Sequence, residues 1–153
     1  MAAMENLKKV PFNIRSAAVD DIPFVFNSWL KSYRDAPAVR AVPNTTYYAE
    51  HHAIIEKIFS SAGLVLLVAC DATESKQIFG YAVGERTSKG FAIHWVYVKF
   101  PFRRFRIGAA LEQALLATNV DLAEVCYTHA PKGGESLLRT RKYSYNPYLL
   151  IKA

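Results

Sequence analysis

The sequence predicts a single α/β domain of the α+β kind, with a mixed, mostly antiparallel sheet flanked by about four helices. Three observations carry this. The chain has 153 residues, of which 52% are hydrophobic, enough for one buried core. Residues 64–98 hold three apolar runs separated only by short polar turns, the pattern of an antiparallel meander. On either side of them the apolar spacing changes to three and four, the helical period. A doubly wound nucleotide fold would alternate strand and helix throughout, and this order excludes it.

Taken along the chain, residues 11–15 alternate and suit a first strand. Asp20 and Asp21 then precede Ile22, Val25, Phe26, Trp29, Leu30 and Tyr33, one apolar helix face with an acidic cap at its positive end. Pro23 is tolerated in a first turn. Residues 35–43 form a loop, and residues 45–61 a second helix with Tyr47, His51, Ile54, Ile55 and Ile58 on one face, ended by Gly63. Strands follow at 64–70, 78–83 and 91–98, and a helix starts near Ile107 with Leu111, Ala114 and Leu115 on its buried stripe. A strand at 122–127 can be reached from the third only by that crossover helix, so the pair is expected to be parallel. A short helix at 135–142 and a last strand at 146–151 complete the order. All of 1–153 is expected to be one domain, with 1–9 flexible.

Composition narrows the function classes. Apolar content is too high for a disordered polyelectrolyte, and two cysteines, Cys70 and Cys126, are too few for a disulfide scaffold. Both lie in strand-like runs and read as buried thiols. The longest apolar run, 62–70, is under half of the ~20 residues a membrane span needs. Residues 1–10 carry charge and no apolar stretch, so the expected location is cytoplasmic. The net charge of +6 favours an anionic partner: a phosphate-rich small molecule, nucleic acid or an anionic surface.

One segment concentrates that charge. The strand ending in Trp95-Val96-Tyr97-Val98 runs into a turn containing Arg103, Arg104, Phe105 and Arg106, then opens a helix at Ile107 and Gly108. A helix start offers unpaired amides and partial positive charge to a diphosphate, and Gly108 allows close approach.

This spacing resembles motif A of the GCN5-related N-acetyltransferases (GNAT): arginine or glutamine, two residues, glycine, one residue, glycine or alanine. Arg103 takes the first position, Arg106 that of the first glycine and Gly108 the last. Ile14-Arg15 followed by Asp20-Asp21 and an amphipathic helix is similar to that family's N-terminal pattern, and the order of elements matches from Val10 to about Tyr127. The resemblance implies acetyl-CoA held where the fourth and fifth strands splay. Amides from Arg104 to Gly108 would hold the pyrophosphate, the backbone at Val96 and Val98 would pair with the pantetheine, and an amine would attack the thioester directly. Arg106 departs from the motif. The family's acidic tyrosine falls on Leu138 or Thr140, so that role passes to Tyr143, Tyr145 or water.

Direct attack needs a neutral amine and therefore a base. His94, four residues before Val98, is the leading candidate, read as sharing that residue's strand face. Glu85 could orient or replace it, His129 is an alternative, and His51 and His52 could line the acceptor site. No metal-ligand spacing is present. Tyr143, Tyr145 and Tyr148 with Arg139, Arg141 and Lys142 suit either single-stranded nucleic acid or a packed strand, with packing favoured. Two function classes result: an acetyl-CoA-dependent N-acetyltransferase acting on an unidentified amine, or a catalytically weak relative that binds coenzyme, protein or nucleic acid.

Overall fold

A computed structural model describes residues 10–118, 124–132 and 141–151. Those residues form a six-stranded sheet whose spatial order follows the chain: β1 (Phe12–Ser16), β2 (Leu64–Asp71), β3 (Ile78–Thr87), β4 (Gly90–Val98), β5 (Val125–Tyr127) and β6 (Ser144–Tyr145). β1 to β4 are antiparallel neighbours, while β4–β5 and β5–β6 are parallel. Helices α1 (Ile22–Tyr33) and α2 (Asn44–Phe59) cover one face, with Val25, Trp29, Tyr47 and Ile55 packed on Val68, Tyr81, Val83 and Trp95. Helix α3 (Ile107–Ala117) covers the other, with Ile107, Leu111 and Leu115 on Phe79, Ala82, Phe91 and Ile93. This is the expected mixed, mostly antiparallel architecture, with three α-helices among the described residues. Most of the fourth expected helix, and Arg139, Leu138 and Thr140 with it, lie outside them. No described helix is long and apolar enough to cross a membrane.

β4 is irregular at one residue. Val83 pairs with Trp95 and Gly84 with Ile93, so His94 is an extra residue opposite none. The bulge reverses the alternation of the strand. Phe91 and Ile93 join the α3 cluster, then Trp95 and Tyr97 join the α1/α2 cluster, and Val96 and Val98 return to α3. His94 therefore does not share the face of Val98, as strict alternation had suggested. It turns to the α1/α2 side, where its neighbour Glu85 reaches Ser61.

Local chemistry changes three other expectations. Asp21 makes no side-chain bond to the start of α1. Its carboxylate instead accepts the Ala18 N–H at 2.7 Å and pairs with Arg15 at 2.7 and 3.2 Å, tying β1 to the helix entrance. Gly63 is not a helix cap, since α2 closes at Ser60; a Cβ at Gly63 would collide with the Arg86 carbonyl oxygen. The strand expected at 146–151 does not form: β6 precedes it at Ser144–Tyr145, and a 3-10 turn, Pro147–Leu150, takes its place. Pro147 has no N–H for a ladder, and the Asn146 side chain accepts the Tyr148 N–H, which starts the turn. Cys70 is buried but Cys126 is only half-buried, and both are free thiols.

Candidate active site

β4 and β5 pair over three residues, Phe91–Ile93 against Val125–Tyr127. The last link is the Thr128 N–H donating to the Ile93 carbonyl at 3.2 Å. Beyond it the strands part, and a cavity of about 530 Å³ opens between the second half of β4, the start of α3 and a wall that includes Tyr127, His129, Pro131, Lys132, Arg141 and Tyr143. The bulge decides which backbone groups look into it. Phe91 donates its N–H to Glu124 and Ile93 offers its carbonyl to Thr128, both toward β5. Past His94 the parity is inverted, so Lys99 donates to Phe79 on β3. By alternation Tyr97 and Trp95 also face β3, which leaves the N–H and C=O groups of Val96 and Val98 on the open edge. The Val98 carbonyl already accepts Arg103 Nε at 2.8 Å.

The basic turn closes one end of the cavity. Phe105 and Ile107 anchor it in the α3 cluster, while Arg103, Arg104 and Arg106 stay exposed. Arg104 (φ 83°) and Arg106 (φ 63°) both adopt the left-handed conformation, and Arg106 is the N-cap of α3. The amides of Ile107, Gly108 and Ala109 have no upstream carbonyl in the helix. A Cβ at Gly108 would meet only Val98 Cγ2, at 3.7 Å, so this wall of the gap is open. Unpaired amides, surrounding arginines and an open glycine suit an anion with a narrow tail, which fits a coenzyme diphosphate and its pantetheine.

Of the two tyrosine candidates, Tyr143 lines the cavity and donates its hydroxyl to Glu112 at 2.6 Å. Burial and the Glu112 charge raise its pKa, so it stays protonated through the neutral range. Glu112 also holds Arg141. Tyr145 does not line the cavity and stacks on Tyr127 at 5.1 Å. The described part of the tail is thus engaged in packing and pairing, although Tyr148 is exposed.

Behind the gap lies a buried polar chain. Ser61 Oγ donates to Glu85 Oε2 at 2.6 Å, and Glu85 Oε1 meets His94 Nε2 at 2.8 Å. His94 Nδ1 meets Thr128 Oγ1 at 2.7 Å, and the same oxygen meets His129 Nδ1 at 2.8 Å. His129 Nε2 meets His51 Nε2 at 2.8 Å. The sequence named the histidines and Glu85 separately; the fold joins them through Thr128, which sequence reading missed. Only its place beside His129 hinted at it. His52 stays apart, exposed and paired with Glu56.

No protein-family profile matches this sequence, and no curated protein matches it. Solved structures do. A Pyrococcus furiosus protein assigned as an acetyltransferase is 16% identical, with a TM-score of 0.71 over 88% of this chain and 94% of that one. A GNAT family acetyltransferase from Brucella melitensis, solved with acetyl-CoA, is 14% identical (TM-score 0.58; 82% and 80%). The glucosamine-6-phosphate N-acetyltransferase of Arabidopsis thaliana is 19% identical (TM-score 0.52; 88% and 92%).

The fold is that of the GNAT acetyltransferases. Within that fold, the splayed strands and the basic turn stand where the sequence resemblance had put them.

Two expectations follow from the geometry. Arg106→Gly removes a left-handed, non-glycine residue and should stabilise the protein by about 1 kcal/mol. A lower melting temperature would contradict that account of the turn. The second concerns pH. Burial lowers the pKa of His51 to about 4 and that of His129 well below 6.5. Above the unfolded value of about 6.5 both states leave these rings neutral; below it the unfolded chain gains protons that the folded chain refuses. Stability should be full above that pH and fall as pH drops toward 4, by about 1 kcal/mol per ring between pH 7.5 and 5.5. Urea midpoints at the two pH values measure it, and equal midpoints would refute it.

Proposed function

We propose that this chain is an acetyl-CoA-dependent N-acetyltransferase acting on an amine acceptor in a ternary complex. The observation that carries the reading is the parted β4 edge running directly into the unpaired amides of α3. A closed sheet or a plugged turn would have left no place for a thioester. The fold, shared with solved acetyltransferases, one of them in complex with acetyl-CoA, supports it.

In this reading Arg104, Phe105, Arg106, Ile107 and Gly108 give backbone amides to the diphosphate, with Arg103, Arg104 and Arg106 supplying charge. Val96 and Val98 offer edge backbone groups to the pantetheine amides. The Val98 N–H is the oxyanion donor as the acetyl carbonyl becomes tetrahedral. His94 takes up the amine's first proton, with Glu85 stabilising the charge it gains. Tyr143 supplies a hydrogen to the departing thiolate, which requires it to leave Glu112 first. Tyr145 serves as a packing residue of that segment. The whole chain acts as one domain, and its two free thiols suit a reducing, cytoplasmic setting.

The alternative is a coenzyme-binding module without turnover. One observation favours it: the hydroxyl of the acid candidate is committed to a carboxylate. Thermal melting separates the readings in two steps. Coenzyme A at ~100 times its dissociation constant should add about 2.7 kcal/mol of stability. No shift at millimolar coenzyme would remove both readings; a shift without thiol release across a panel of amines would leave the module. Gly108→Val should abolish the shift without unfolding the chain, because a Cβ there meets Val98 Cγ2 only at an ordinary 3.7 Å. Unchanged binding would move the diphosphate elsewhere.

A further inference from the structure

The chain from His51 to Glu85 is more constrained than a set of separate hydrogen bonds. Thr128 has one hydroxyl hydrogen and lies within 2.8 Å of two imidazole nitrogens, so it donates to one and accepts from the other. The His51–His129 contact joins two ring nitrogens, so one bears hydrogen and the other does not. The Glu85 carboxylate accepts, which places hydrogen on His94 Nε2.

With every ring neutral, one arrangement satisfies all links. His51 Nε2–H donates to His129, His129 Nδ1–H to Thr128, Thr128 O–H to His94 Nδ1, and His94 Nε2–H to Glu85. The one ring nitrogen that no described residue engages is then His51 Nδ1. A proton can join the chain there without breaking a link. When it does, each hydrogen between His51 and His94 shifts to its neighbour. The chain ends with His51 holding Nδ1–H, His129 holding Nε2–H, and His94 cationic against Glu85.

The surroundings suit a single resting place for that charge. His51 is packed by Tyr33 and Tyr47, whose phenols burial keeps protonated, with Arg34 over the Tyr47 ring. His129 is packed by Trp29, Tyr33 and Trp95. Among the described residues, the one carboxylate in contact with the chain is Glu85, at His94. His51 also lies on the α1/α2 side of the sheet, opposite the face where α3 and the basic turn pack.

We propose that His51, His129, Thr128, His94 and Glu85 form one proton relay, which takes a proton from the acceptor's ammonium group at His51 Nδ1 and parks it on His94 beside Glu85. This rests on the acetyl-transfer reading for its substrate and adds where the proton goes. The ammonium N–H bond breaks as His51 Nδ1–H forms, and the neutral amine then attacks the thioester. The second amine proton replaces the one that Tyr143 gives to the thiolate, so the thiol leaves neutral and Tyr143 is restored. One proton is released per amide formed, and it is the one the relay carries. Glu85 and Thr128 act through the histidines, as positioning and linking residues.

Two experiments test it. In turnover, His51→Gln and Thr128→Val should each leave the coenzyme A melting shift intact. Each should lower kcat at pH 7 by about 10²-fold, the scale of a lost general base. The deficit should close as pH passes the pKa of the acceptor amine, where no proton needs removing. A pH–rate profile matching that of the unaltered protein in either variant would overturn the relay.

The second needs no activity and no variant. Imidazole ¹⁵N NMR of the unaltered protein at neutral pH should find hydrogen on Nε2 of His51 and His94 and on Nδ1 of His129, with exposed His52 as reference. On acidification the three should respond in one coupled step, with the tautomers of His51 and His129 reversing. Independent titration, or hydrogen on His129 Nε2 at neutral pH, would overturn the proposal. Coupled reversal in a chain without acetyl transfer would keep the relay and remove the acetyl reading.

Discussion

One extra residue in β4 organises everything around the gap. A strand without the bulge would keep its parity from Phe91 to Lys99, and the N–H and C=O groups of Val96 and Val98 would be consumed by β3. The bulge at His94 reverses them, so the half of β4 beyond it turns an unused edge outward at the point where β5 departs. His94 itself keeps the α1/α2 side that alternation from Phe91 gives it, where it meets Glu85 and Thr128. The bulge instead moves Trp95 and Tyr97 onto that same side and returns Val96 and Val98 to α3. The insertion thus sets the open backbone edge directly beside the proton-handling side chains.

The basic turn illustrates a different balance. Two arginines in left-handed conformation cost about 1–2 kcal/mol each relative to glycine. The turn persists because Phe105 and Ile107 fasten it into the α3 cluster on either side of Arg106, and because Phe102 packs at 4.1 Å on Phe79. The backbone path is fixed by apolar anchors, and the strained residues point their charge to solvent. Arginine at a glycine position is therefore compatible with an open gap: the side chain projects away from it, while the amide stays in place.

What the sequence revealed and what it hid divide along contact range. Strand order, the parallel crossover and the helix after Phe105 follow from local period and turn chemistry, and these were legible. Motif A was legible because it is a continuous stretch. The bulge was not: His94 reads like any alternating residue, and the mismatch appears only when β3 is laid beside it. The link through Thr128 was hidden for the same reason, since Thr128 is 34 residues from His94, and so was the contact of His51 with His129, 78 residues away. Asp21 looked like a helix cap because local propensity ranks it so, yet Arg15 on β1 captured the carboxylate. Pro147 gave a readable warning, but the Asn146 cap that converts the segment to a turn depends on a geometry that residue type alone does not fix.

Burying three imidazoles would ordinarily be costly, because each carries two polar atoms. Here the cost is offset by matching those atoms to one another, to Thr128 and to Glu85, so five of the six ring nitrogens have partners within 2.8 Å. A fully matched neutral chain tolerates a dry interior, whereas a charge does so only opposite a countercharge. Glu85 is that countercharge, its carboxyl held below its ordinary range chiefly by the hydrogen bond from His94. It sits at one end of the chain, partly open to solvent. A neutral interior with a single anionic end gives an added proton one direction to travel. The asymmetry of the site, and not the basicity of any one histidine, therefore determines where the charge comes to rest.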